Sequence, residues 1–167
     1  ERTVNVGMTA SLYAYFRTQP DLTPQPGKAV TFKIDGTAVG SMATDANGVA
    51  RYPYDTHGMT IDSHTIRCEF AGDAQVAAGY GEAPLTILPA APYIWVAHRL
   101  APAGSGVDLY AYFRTLPDRV EQPAKLLVFQ IDGTVVGSAL TDAQGKAHFP
   151  YDTTGVAKGD YTIQCLF

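Results

Sequence analysis

The side chains of this 167-residue chain best suited to acid–base, nucleophilic or metal chemistry are few: four histidines, two cysteines and the turn carboxylates. Asp55, His57, Asp62 and His64 fall within residues 55–64 and could offer oxygen and imidazole ligands to a divalent cation. Asp45-Ala46-Asn47-Gly48 has the opening of a calcium loop but none of the later carboxylates. Hairpin-turn chemistry accounts for it instead. Cys68 and Cys165 lie 97 residues apart, and a thiol nucleophile at either needs a general base close by. The histidines, His57, His64, His98 and His148, do not recur at that spacing. No G-x-S-x-G, no phosphate-cradling glycine loop and no zinc spacing of Cys and His is present. The expectation is a chain without catalysis, cofactor or metal.

Aromatic and cationic residues are more suggestive. In Leu12-Tyr13-Ala14-Tyr15-Phe16-Arg17 the alternation puts Tyr13, Tyr15 and Arg17 on one face, opposite Leu12, Ala14 and Phe16. Tyr110, Tyr112 and Arg114 repeat the pattern. Tyr and Arg are enriched at interface hot spots, and aromatic faces also stack on sugars. The same residues also favour strands for their own sake. These six side chains are the candidate interaction surface.

What positions them is a repeat. Leu12–Phe70 aligns with Leu109–Phe167 without a gap, with 34 identities in 59 positions. Period-two alternation runs through residues 12–17, 30–35 and 65–70, and Asp35-Gly36 is a two-residue hairpin turn between strands. Strands are expected at roughly residues 3–6, 10–18, 28–35, 37–44, 49–55, 64–70 and 79–88, the pattern of a β-sandwich. No stretch has helical caps with helical spacing. The first domain is expected at residues 1–88, a stiff proline-containing linker at 89–92 and the second domain at 93–167.

The run from Gly27 to Tyr54, with Val30-Thr31-Phe32, Asp35-Gly36, Val39-Gly40 and Thr44–Ala50, followed by His64–Ile66 and Phe70–Asp73, resembles the Ig-like repeats of bacterial extracellular proteins. The resemblance implies an all-β fold of two tandem immunoglobulin-like sandwiches in a secreted or cell-surface protein. Aligned on the first copy, the second stops at Phe167, before the counterpart of residues 79–88. It is therefore expected to lack its last strand. A strand from another chain could supply it, and Glu1–Val6 is a candidate donor.

Composition narrows the partners. Twelve basic and sixteen acidic side chains give a net charge of -4 at pH 7, which supplies no basic field for a nucleic acid. No apolar run reaches the roughly 20 residues of a membrane span. The expected function is a non-catalytic structural module, a stalk, spacer, adhesin or filament subunit, whose partners are neighbouring repeats or identical subunits. The alternative is a carbohydrate-binding accessory module that takes polysaccharide on the tyrosine faces. Leu12, Phe16, Phe32, Ile34, Ile66, Cys68, Phe70 and their counterparts 97 residues on are expected in the cores, with both thiols reduced.

Overall fold

The computed structural model describes residues 2–167, all of them in strands, turns and loops. The chain divides into two compact units, Glu1–Ala90 and Ala91–Phe167. The first contains β1 (Arg2–Asn5), β2 (Thr9–Tyr15), β3 (Arg17–Thr18), β4 (Thr23–Pro24), β5 (Ala29–Ile34), β6 (Thr37–Ala43), β7 (Val49–Asp55), β8 (Ser63–Phe70) and β9 (Gly79–Leu88). One layer is the five-stranded sheet β1-β9-β8-β5-β6, in which β1 runs parallel to β9. Facing it are β2-β7 and the small ladder β3-β4.

The second unit contains β10 (Pro92–Val96), β11 (Gly106–Thr115), β12 (Val120–Glu121), β13 (Leu126–Ile131), β14 (Thr134–Leu140), β15 (Lys146–Asp152) and β16 (Ile163–Leu166). Its layers are β14-β13-β16 and a sheet in which β11 pairs with β10, β12 and β15. Both units are all-β sandwiches.

Turn chemistry follows the residues. Asp35 and Gly36 adopt φ of 48° and 82°, and Asp132 and Gly133 adopt 45° and 78°, the left-handed pair a tight hairpin needs. Asp45 Oδ1 accepts from the amides of Asn47 at 2.9 Å and Val49 at 3.0 Å, so its carboxylate is an architectural cap. Asp142 does the same for Gln144 and Lys146. Thr44 and Thr141 do more than open the repeated hairpin segment. Each is buried, its hydroxyl donating at 2.5 Å to a carbonyl (Gln25, Gln122) and accepting at 2.9 Å from an amide (Lys28, Lys125).

The first core gathers Leu12, Val30, Phe32, Ile34, Ile66, Leu85 and Ile87, and the second gathers Leu109, Phe113, Leu127 and Phe129. Phe16, Cys68, Phe70, Ile131, Ile163 and Cys165 are half-buried rather than buried. Phe167 corrects the expectation outright: it is 69% exposed. One side of its ring packs on Phe113 at 4.4 Å, while β16 has β13 as its sole ladder partner among the described residues. Phe70 keeps more cover because β9 runs beside it, pairing Gly79 with Phe70.

Neither cysteine is bonded, and burial pushes both thiols up to about 11. A thiolate is the reacting species, so maleimide labelling at pH 8 should be on the order of 100-fold slower in the native protein than in denaturant. Equal rates in the two states would contradict the placement.

Candidate interaction surface

The outward faces of β2 and β11 present the tyrosines as the alternation requires, but the two units treat them differently. In the first, Tyr13 and Tyr15 are exposed, Tyr15 at 71%, and Arg17 is exposed as well. Arg2 donates to the Tyr13 hydroxyl at 2.9 Å, and its guanidinium lies 4.7 Å from the ring centroid. A hydrogen bond from Ser11, then one from Arg2, lower the Tyr13 pKa from the usual tyrosine range. In the second unit Tyr110, Tyr112 and Arg114 are half-buried. Neighbouring side chains lie over these rings.

Trp95 is the largest of these neighbours. It stands opposite Tyr112 on the β10–β11 ladder, its ring 5.8 Å from Tyr112 and 6.3 Å from Tyr110. Tyr110 and Tyr112 meet edge to face at 6.1 Å, and His148 on β15 lies 5.8 Å from Tyr110. Lys146 sits 4.0 Å over the Tyr110 ring, Arg99 at 5.0 Å, and Arg114 5.3 Å from Tyr112. The result is an aromatic cluster edged with cations, in which Trp95 remains 45% exposed. The sequence reading missed Trp95 because it lies outside the repeated segment; a lone tryptophan before an aromatic strand was the available signal.

The histidine and aspartate group of the first unit is dispersed into pairs. His57 Nδ1 lies 2.6 Å from Asp55, His64 Nδ1 lies 2.6 Å from Asp35, and Asp62 accepts from the Ser63 amide. The Asp35 hydrogen bond, followed by one to the Thr60 backbone, raises the His64 pKa. Among the described residues no three His, Cys, Asp or Glu side chains gather as a metal site. The pairs tie turns to strand ends.

No protein family's sequence model matches the chain, and no curated protein matches it. Solved structures similar to it include the fibronectin(III)-like modules of Clostridium thermocellum CbhA, at 14% identity and a TM-score of 0.38, over 98% of this chain and 78% of that one. The Yersinia pseudotuberculosis adhesin InvE is similar at 16% identity and a TM-score of 0.43, over 99% of this chain and 55% of that one. The D0-D1 domain of Intimin is similar at 15% identity and a TM-score of 0.38, over 98% and 85%. The class of the fold rests on the strand pairing itself.

Proposed function

We propose that the chain is a non-catalytic structural module of a bacterial extracellular or cell-surface assembly, a stalk, spacer, adhesin or filament unit built from repeated sandwiches and completed by strands from neighbouring repeats. The observation that carries this reading is where the reactive side chains are spent. Asp35, Asp45, Asp142 and Asp152 hold backbone amides, the thiols are partly buried with raised pKa values, and His57, His64 and His148 pair with carboxylates. The Thr60 hydroxyl lies 3.4 Å from His64 Nε2, but that nitrogen donates to the Thr60 carbonyl at 3.0 Å and so carries a proton rather than serving as a base. Proline-containing joints between sandwiches suit a spacer. The size of the protein in solution, followed by direct imaging of the native material, tests the reading, and turnover of any substrate overturns it.

The Trp95, Tyr110, Tyr112 and His148 cluster favours a second reading, an accessory module that stacks polysaccharide. The two readings separate on one experiment. For a spacer, Tyr13→Ala with Tyr15→Ala, and Trp95→Ala with Tyr112→Ala, leave retention on insoluble polysaccharide unchanged. A sugar binder loses saturable retention with one of these pairs while the fold survives.

A further inference from the structure

Each unit leaves open a groove that its counterpart fills. In the second unit an open cavity of about 590 Å³ lies among Arg99, Leu100, Leu109, Ile131, Tyr151 and Ile163. The same positions in the first unit, 97 residues earlier, are Arg2, Thr3, Leu12, Ile34, Tyr54 and Ile66. There the space is occupied. β9 runs between β8 and β1, with Leu85 opposite both His64 and Arg2 and with Ile87 opposite Val4. Leu85 and Ile87 are 0% and 1% exposed. Without such a strand, Ile131, Ile163 and Thr153 are half-buried where Ile34, Ile66 and Thr56 are buried, and Leu100 is exposed. The far wall is nevertheless set: Arg99 lies over Tyr110 as Arg2 lies over Tyr13.

The first unit has the reciprocal groove. A cavity of about 450 Å³ is lined by Ala14, Phe16, Val30, Ile66, Cys68 and Phe70 among others. Their counterparts in the second unit are Ala111, Phe113, Leu127, Ile163, Cys165 and Phe167. Along that edge lies β10, with Ile94 opposite Phe113 and Val96 opposite Ala111, both packed against the core. β11 thus has β10 on one side and β15 on the other, whereas β2 has β7 as its only ladder partner among the described residues.

β9 and β10 are consecutive, joined by Pro89-Ala90-Ala91. We propose that the two open grooves receive the two halves of one connector: an extended segment with the chemistry of residues 79–96, carried by a further repeat. Its first half, with apolar side chains at the Leu85 and Ile87 positions, fills the second unit of one chain. Its second half, with apolar side chains at the Ile94 and Val96 positions, fills the first unit of the next. Backbone ladders provide affinity and the alternate side chains provide register. The chain's own connector is engaged within it, so the occupant is an equivalent segment. This rests on the structural reading above and names the partner it requires.

The test is a synthetic peptide of residues 78–97 added to the full chain. Half an equivalent should double the particle mass by light scattering, one peptide bridging two chains. Hydrogen exchange should slow at Ile163–Leu166 and Arg99–Ala101 in the second unit and at Ala14–Thr18 in the first. A peptide with Leu85→Asp and Ile87→Asp should lose the second-unit protection, and one with Ile94→Asp and Val96→Asp the first-unit protection; neither should double the mass. Protection confined to one unit, protection elsewhere, or none overturns the two-ended connector. Those results leave a spacer role standing, whereas substrate turnover or saturable glycan binding removes the spacer role whatever the peptide does.

Discussion

On heating, the chain should unfold in two steps, the second unit before the first. The two cores share a repeat, so the comparison turns on what each has that the other lacks. The first unit buries Leu85 and Ile87 almost completely, and full burial of such side chains is worth about 1.5–3 kcal/mol each. The second unit gains Ile94 and Val96 from β10, but both are only half-buried. Its exposed Phe167 and half-buried Ile131 and Ile163 widen the difference. A deficit of even about 2 kcal/mol separates melting points by roughly 8–16 °C in domains of 60–100 residues. Leu85→Ala removes the advantage. A buried leucine truncated to alanine costs about 2–5 kcal/mol, so the upper transition should fall toward the lower one while the lower stays in place. Scanning calorimetry of the two proteins measures both. A single concentration-independent transition in the parent chain, or a Leu85→Ala effect on the lower transition alone, would refute the assignment.

That asymmetry was only partly legible in the sequence. Period-two alternation located the long strands of the first unit, because the core face of a sandwich must alternate, but the strand expected at residues 10–18 divides into β2 and β3, and β4 was not expected. Asp-Gly located the hairpins because few residues tolerate positive φ. Alternation tells which way a side chain faces but not what covers it, and so Phe167 was expected to be buried. Nor does it tell which strands become neighbours. Arg2–Asn5 pairs in parallel with β9 of its own unit, occupying residues expected as a donor for another chain; Glu1 of that segment lies outside the described residues. The same repeat position in the second unit, Arg99–Pro102, forms no strand, and β10 pairs antiparallel with β11 instead. Strand order depends on which edges find partners, a property of the assembled sheet rather than of any segment. The six-residue tyrosine and arginine surface was legible as a face. Trp95 and Lys146 over its second copy were not, since cross-strand neighbours depend on register.

Gly40→Ala and Gly137→Ala should each destabilise their unit, although alanine ordinarily suits a strand better than glycine. Gly40 lies opposite Phe32 and Gly137 opposite Phe129, each pair beside a shift in the hairpin register. An aromatic ring from the facing layer covers each glycine. Tyr52 stacks on Phe32 at 5.6 Å, and Phe149 on Phe129 at 5.8 Å. A methyl group at Gly40 would come within 2.4 Å of the Tyr52 ring, and one at Gly137 within 2.1 Å of Phe149. No real contact is that short, so the ring must move. Removing glycine from a strand recovers about 0.5–1 kcal/mol of chain entropy. Overpacking a filled core costs about 1–3 kcal/mol, which wins. The costs should not be equal. The Tyr52 hydroxyl donates to the Val39 carbonyl at 2.5 Å, so moving that ring also loses a hydrogen bond, whereas Phe149 has no hydroxyl to anchor it. Gly40→Ala is therefore expected to lower its unit's stability more than Gly137→Ala lowers the other's, despite the closer approach at Gly137. Phe149→Leu combined with Gly137→Ala should recover part of the loss, because the shorter side chain vacates the methyl's position. Denaturant unfolding followed by hydrogen exchange in each unit reads all three. A neutral or stabilising Gly40→Ala would mean that the Tyr52 ring is not fixed where it lies.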